Sequence, residues 1–402
     1  MTSKSTYNLI IVGGGPIGLA TAFHYKKKNQ NASVLIVEKA YVHNQSGSSN
    51  GQTRQFRYQY AEKYMTELAY ATESYWKELE DFHGDKLINR VGSLWFGEGD
   101  AEGSEGQIGP AMENLDELNL PYEKLTNKEI EDRFGFTGLR KSEVGLFQPN
   151  GGTINVIETI EVLKNLCMDF DVEILEYNEI NVIDSTGVHV DNIHIRAEKI
   201  VVTAGANSKK LIGPMLNTVV WNLASIHYKV KYESFDLPSW FYFSEQIRDD
   251  DKLVEGGFYY GFEKINLEGE WYFRICPAFS SQIETDLNEN IVMPLQADVD
   301  MTTNWVKKHL DFVSPVPEFI SLGQVSLPRE SSKKLYLDYT DSSQRIVVCS
   351  SGWNFKFIPL LGYIIAMEVL GERHGFDISP FALSTLLQAS EGKTTSTRKL
   401  PF

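Results

Sequence analysis

Long apolar runs are absent from this chain of 402 residues. None approaches the roughly 20 residues of a membrane-spanning helix, so no membrane partner is expected. Cysteine is scarce as well: Cys167, Cys276 and Cys349 are the only three, in neither a paired nor a metal-ligand spacing. A disulfide framework is thereby excluded, and no metal site is expected. Positive charge is in deficit, 38 Lys and Arg against 54 Asp and Glu, for a net charge of −16. An average surface of that sign repels a phosphate backbone, which argues against nucleic-acid binding. The first residues, MTSKST, carry no secretory apolar core and run straight into a folded motif, so a cytoplasmic location is expected. The length admits about two or three domains and a core able to enclose a site.

What the chain does have is a strand, a glycine-cornered turn, a helix and a second strand in unbroken succession from Tyr7 onward. LIIV at 9–12 is continuously apolar, as a strand buried on both faces of a parallel sheet should be. Gly13, Gly15 and Gly18 follow at once. The first permits the tight turn, the second lets backbone approach a pyrophosphate, and the third lets the helix pack close to the sheet. Pro16 and Ile17 open that helix, whose N-terminal amides would face the phosphates. After the strand at 34–37 comes Glu38, placed to accept hydrogen bonds from a ribose. A carboxylate there favours a free 2′-hydroxyl, so FAD or NAD fits and NADP does not.

Arg54 and Arg57 follow in a small-residue loop, beside Asn50 and Thr53, ahead of an amphipathic helix with Met65, Leu68, Ala69, Thr72, Trp76 and Leu79 at helical spacing. Solvated arginines at a helix start would oppose its dipole, so an anionic partner is the better reading. VGSLWFG at 91–97 reads as a strand, and the acidic GEGDAEGSEGQIG after it as a mobile surface loop whose charge serves solvation. Residues 156–168 read as a helix with one apolar side; 172–175 begin a strand, and NEINVIDSTGVHV alternates like a hairpin. KIVVTAGANSKKL is a second strand-then-glycine point, turning at Gly205. From 221 to 279 short alternating runs rich in Tyr, Trp and Phe predict an antiparallel sheet, mostly core but able to roof a pocket. The last third returns to the opening pattern with a strand at 345–349, the turn SSGWNFKF and a helix at 359–370. Such a chain builds two interleaved domains with a site between them.

From about Tyr7 to Phe381 the chain resembles the sarcosine oxidase and N-methyltryptophan oxidase branch of the D-amino-acid-oxidase-like flavoenzymes. The resemblance rests on the opening motif and on SSNGQTRQFRYQYAEKY, VVTAGANSKKL, VGSLWFG, YYGF and SSGWNFKF. It implies an α/β fold: a Rossmann-like FAD-binding domain from 1–90, 146–212 and 324–402, interleaved with an α+β, antiparallel-sheet substrate domain from 91–145 and 213–323. It also implies that Arg57 and Lys356 grip a substrate carboxylate, that Tyr260 lines the pocket, and that Arg54 lies near the flavin. Lys39, Ser49, Asn50, Thr53, Val172, Gly205, Gly352, Asn354 and Phe355 would join the glycine turn and Glu38 around the cofactor. Four departures stand out. Val325 or Ser326 occupies the place of the family's flavin-tethering cysteine, so FAD is expected to be non-covalent. Arg274 replaces the lysine that promotes reaction with oxygen, with Glu270 as a carboxylate that would blunt its charge, and Ala278 replaces a pocket histidine. WN in the final turn replaces glycine-histidine-glycine.

The implied activity is oxidation of the C–N bond of an amino acid, first guess a secondary or N-methylated amine, by hydride transfer to flavin. The products would be an imine and, with oxygen, hydrogen peroxide. A dehydrogenase using another acceptor, a primary L-amino acid oxidase and a non-catalytic dinucleotide-binding sensor remain the alternatives. A sensor would not need both Arg57 and Lys356.

Overall fold

The run at 9–12 is apolar throughout because both its faces are covered. In the computed structural model, which describes residues 4–383 except 46, 104, 233–234, 246, 250–251, 256 and 331, Thr6–Val12 is the central strand of a parallel sheet. Ile10 sits opposite Ile200 of Ile193–Val202 on one side and Leu35 of Val34–Val37 on the other. Leu9 and Ile11 face a layer of helices while Ile10 and Val12 face away from it, the alternation a pleated strand imposes. Ile346–Ser350 and Glu173–Leu175 extend the sheet in parallel, and Tyr336–Tyr339 closes one edge antiparallel. The predicted hairpin forms from Ile180–Ile183 and Gly187–Val190 and joins through the first half of Ile193–Val202, giving eight strands. Pro16–Lys28, Val156–Asp169 and Ile358–Leu370 supply the helices.

The second sheet has ten strands, drawn from Ser93–Gly97, Glu123–Thr126, Val144–Gln148 and the aromatic block, with Val313–Pro328 pairing along the length of Thr218–Val230. Its rings divide by strand alternation. Trp240 and Tyr242 face the helix Gln296–His309, where Trp305 stacks on Trp240 at 5.0 Å and on Tyr259 at 5.3 Å; Phe241 and Phe243 face the core shared with the nucleotide side. One pairing departs from the antiparallel expectation: Ser239–Phe243 runs parallel to Ser93–Gly97. The connection between them is no hairpin but a long excursion through the first sheet, which is what a parallel pair requires.

Arg54 lies on a strand, Thr53–Phe56, paired with Gly152–Asn155, and not at a helix start. The helix begins later, as Lys63–His83, and buries the predicted stripe of Met65, Leu68, Ala69, Thr72, Trp76 and Leu79.

Where Pro16–Lys28 meets Ile358–Leu370 the backbones nearly touch: a Cβ on Gly362 would lie 2.5 Å from Ala20 Cβ and 2.6 Å from the Ala20 carbonyl carbon. Gly362→Ala gains up to about 1 kcal/mol of helix propensity. Because the opposing atoms include backbone, overpacking of roughly 1–3 kcal/mol outweighs that gain. The variant is expected to unfold at lower urea concentration than the parent with the same m-value; an equal or higher midpoint would show that the two helices slide apart freely.

Candidate active site

Gly13 ends the first strand with a φ of 105°, and a Cβ there would meet Thr203 O at 2.7 Å. Only glycine lets the two strand ends approach this closely. Gly18 packs against Gly13 O in the same way and serves packing, outside the lining of the cleft. Gly15 differs, with nothing within 4 Å of the place its Cβ would take. It caps Pro16–Lys28 without a side-chain acceptor, so the first amides of that helix are left for whatever fills the cleft.

The cleft has a volume of about 1350 Å³, and its walls include Gly13, Gly15, Pro16, Ile17, Glu38 and Lys39 from the opening motif, Ser49 and Asn50 from the next loop, and Gly205, Gly352, Asn354 and Phe355 from the later turns. The Glu38 carboxylate accepts from the Gly14 and Ala40 amides at 2.8 and 2.9 Å, which fixes its orientation. Lys39 pairs with Glu289 at 2.5 Å. Val172 stands apart: it is buried in the core, its N–H donating to Cys167 O at 2.9 Å. The wall there comes instead from Asn178, Glu179 and Ile180, beyond the carboxyl end of Glu173–Leu175, where ligands of open parallel sheets bind.

A second cavity of about 410 Å³ adjoins the first, sharing Ser48, Asn50, Gly51, Gly352 and Phe355 with it. Phe241, Tyr260, Phe262 and Ala278 wall it from the second sheet, and Thr53, Arg54, Arg57, Arg274 and Lys356 also reach it. Tyr260 stacks on Phe241 with 10° between the rings, and burial raises its phenol well above the usual range, so it is neutral.

Arg57 is 1% exposed, and its Nε has no hydrogen-bond partner among the described residues. It donates to Gln59 O at 2.6 Å, forms an ion pair with Glu105, and lies between the rings of Tyr60 at 4.6 Å and Trp95 at 4.7 Å. Glu105 belongs to the stretch expected to be a solvated surface loop. That expectation fails here: a Gly103–Gly106 bridge folds the loop back and delivers its carboxylate into the cavity. Burial alone would raise the Glu105 pKa, but Arg57, with Lys356 and Lys334 behind it, holds the carboxyl below its ordinary value. Burial and then Arg57 lower Lys356 to about 7, against an upward pull from Glu105.

Arg274 and Arg54 donate to one carbonyl, Thr53 O, at 2.7 and 2.8 Å. Arg54 also donates to Ser48 O and Asn50 O at 2.6 and 2.7 Å, so it holds the loop between the two cavities; burial and then Arg274 lower it to about 10. The Arg274 guanidinium lies 3.9 Å from the Phe262 ring centroid. Glu270 does not reach it and pairs with Lys229 at 3.0 Å. Four residues along a strand span about 13 Å, so the spacing that joins charges on a helix separates them here. His227, unmarked in the sequence, enters the cavity from the strand opposite Arg274, so the pocket has a histidine although Ala278 does not supply one. Burial and Arg274 lower it to about 4, and its Nδ1 has no hydrogen-bond partner.

A dinucleotide cleft at the carboxyl ends of parallel strands, opening into a cation-lined apolar cavity, defines a nucleotide-dependent oxidoreductase. Residues 8–368 match the family described as DAO, FAD dependent oxidoreductase, and the chain belongs to that family; its cofactor is FAD. It is 28% identical over 422 residues to a Dictyostelium discoideum protein whose name describes a bifunctional amine oxidase, covering 97% of this chain but only 38% of that one. Human peroxisomal sarcosine oxidase is 23% identical over 400 residues, covering 95% of this chain and 96% of the relative. The open form of NikD, described as an unusual amino acid oxidase essential for nikkomycin biosynthesis, superposes with a TM-score of 0.86 at 30% identity, covering 97% of this chain and all of that one.

The residues present fit FAD. Gly15 leaves room for a pyrophosphate before uncapped amides, Glu38 offers acceptors to a ribose, and Asn354 Nδ2 is a buried donor without a partner in the cleft wall. A tether is not expected. Val325 and Ser326 hold the expected linkage position, and Cys349, which lines the cleft, has its thiol pushed up to about 12 by burial. A thiol rather than a thiolate is a poor nucleophile. Acid precipitation of the purified yellow protein is therefore expected to release the flavin into the supernatant; colour that stays with the pellet, and is lost in Cys349→Ser, would overturn this.

Proposed function

We propose that this chain oxidises the C–N bond of an amino acid bearing a secondary or N-methylated amine, with oxygen as the final acceptor. The observation that carries the reading is the charge of the cavity: among the described residues Arg54, Arg57, Arg274 and Lys356 line it with one carboxylate, Glu105. Cations enclosed among aromatic walls are costly unless an anion joins them. A substrate carboxylate is that anion, and Arg57 with Lys356 is the pair to hold it. Because Arg57 already holds Glu105, the entering carboxylate competes with Glu105 or shares the guanidinium with it. The same excess of positive charge disfavours an ammonium, so the amine binds neutral and no side-chain base is needed. Bound FAD supplies the hydride acceptor. Phe241, Tyr260 and Phe262 exclude water from the clamp. The names of the sarcosine oxidase and NikD relatives support the amino acid substrate class.

For oxygen, Arg274 is the cation to consider. Among the described residues no carboxylate forms an ion pair with it, so its charge remains available to stabilise a nascent superoxide. Anaerobic mixing with sarcosine-type, cyclic secondary and primary amino acids should bleach the flavin with the first two classes and not with their methyl esters, and air should then restore the colour faster than it reoxidises free reduced flavin. Bleaching by none of the acids would sink the substrate reading; reoxidation no faster than free flavin would sink the oxidase reading, and Arg274→Met should slow it.

The clamp also predicts a pH profile. Lys356 sits near 7 in the free enzyme, and its charged form is the one that holds a carboxylate. As pH rises through that value the charged form is lost, so kcat/KM for carboxylate substrates, reckoned on the neutral amine that binds, should fall on the alkaline side. Lys356→Arg should remove that limb. Glu105→Gln should move it to lower pH, because Glu105 raises the lysine. An unchanged profile in both variants would take Lys356 out of the clamp.

A further inference from the structure

Away from both cavities, the hairpin that follows the cleft wall brings three metal-ligating side chains to one point. His189 and His194 are direct cross-strand partners in the antiparallel pair Gly187–Val190 and Ile193–Val202, so their imidazoles share a face, with ring centroids 4.6 Å apart. Asp184 closes the preceding turn. Its Oδ1 accepts from the Thr186 amide at 2.6 Å, the Gly187 amide at 2.9 Å and the Thr186 hydroxyl at 2.8 Å. The other oxygen, Oδ2, is left facing His189 Nε2 at 2.6 Å and His194 Nε2 at 3.4 Å. The turn can be this tight because residue 187 is glycine; a Cβ there would strike Ile195 O.

We propose that Asp184, His189 and His194 form a binding site for a borderline divalent transition-metal ion, zinc in the first instance, with a water in the open fourth position. One ligand atom from each lies within 4.8 Å of the others. In a tetrahedral site with bonds of about 2.0–2.1 Å, neighbouring ligand atoms stand about 3.3 Å apart. The two measured separations, 2.6 and 3.4 Å, bracket that value, so small side-chain rotations suffice. Two imidazoles and one carboxylate make a donor set suited to zinc, copper and nickel and unsuited to calcium or magnesium, which take oxygen ligands. The carboxylate is oriented by backbone amides, the kind of outer support that metal ligands receive. A carboxylate this exposed is ionised at neutral pH and able to ligate. The side chains are 35%, 38% and 31% exposed for Asp184, His189 and His194, enough for an ion to enter from solvent. The spacing in sequence matches no metal motif, because the ligands meet across a hairpin and not along a helix.

An ion bound here ties the Asp184 turn to Gly187–Val190 and Ile193–Val202, and that turn directly follows Ile180–Ile183, which begins in the cleft wall. The test uses the flavin-loaded protein, stripped with a chelator, desalted and titrated with zinc chloride against a chromogenic metal indicator. One zinc per chain is expected, with an X-ray absorption spectrum showing two imidazole nitrogens. His189→Ala, His194→Ala and Asp184→Asn should each weaken it by at least about tenfold while leaving the flavin spectrum unchanged. Zinc should raise the melting temperature of the parent and not that of the His189→Ala/His194→Ala double variant. No stoichiometric zinc in the parent, or zinc held equally well by the double variant, would overturn the proposal.

Discussion

A guanidinium taken almost wholly out of water must have its donors and faces filled, or the chain will not bury it. Arg57 meets most of that condition by recruiting partners from distant stretches, Gln59 beside it, Trp95 from the second sheet, Tyr60 from the approach to the long helix, and Glu105 from a glycine-rich loop, while its Nε is left without a partner among the described residues. Most of the cavity's character follows from this one burial. The loop is pinned inward instead of lying on the surface, Lys356, lowered first by its own burial, is lowered further by this fixed cation, and the carboxylate that balances Arg57 is internal.

Besides Arg54, hydrogen bonds to backbone carbonyls of the second sheet hold the seam between the cleft and the cavity. The Ser48 hydroxyl donates to Gln324 O at 2.7 Å, the Asn50 amide to Leu322 O at 2.9 Å, and the Gly352 N–H to Ser326 O at 2.7 Å, all onto Val313–Pro328 of the second sheet. A side chain at residue 352 would strike Val325. The valine that stands where the resemblance places a tethering cysteine is thus packed against the turn that carries Asn354 and Lys356.

The fold was legible because its signals are local and periodic. LIIV, the glycine turn and the next strand are contiguous, and the stripe from Met65 to Leu79 has one period. The resemblance to sarcosine oxidases supplied the FAD family on the same motifs, and the family match agrees. The site was legible only where a motif carried it. Gly13, Gly15, Glu38, Arg57 and Lys356 reach the two cavities, but Glu105 lies in a stretch whose composition reads as solvated loop, and no property of that stretch tells which acid turns inward. His227 is one alternating position on a long strand, and its neighbour Arg274 is 47 residues away in sequence yet opposite in register. Glu270 shows the converse error, in which proximity along the chain is mistaken for proximity in the fold, since a strand carries it away from Arg274; Val172, taken from the resemblance, lies in the core, and the cleft wall begins several residues after it.

The parallel pairing of Ser93–Gly97 with Ser239–Phe243 also bears on how the chain is made. Ser93–Gly97 has no such neighbour until residue 239 exists, and Ile193–Val202, which pairs with Thr6–Val12, gains its other parallel neighbour only with Ile346–Ser350. At synthesis rates of about 5–20 residues per second, roughly 10–40 s separate Thr6–Val12 from its partner Ile193–Val202. Over that interval an apolar strand has unpaired edges on the ribosome. Non-local pairing of this kind is slow and exposed to aggregation. The interleaving that sets the two cavities side by side therefore makes the nascent chain a natural client of chaperones, with the earliest strand the longest at risk.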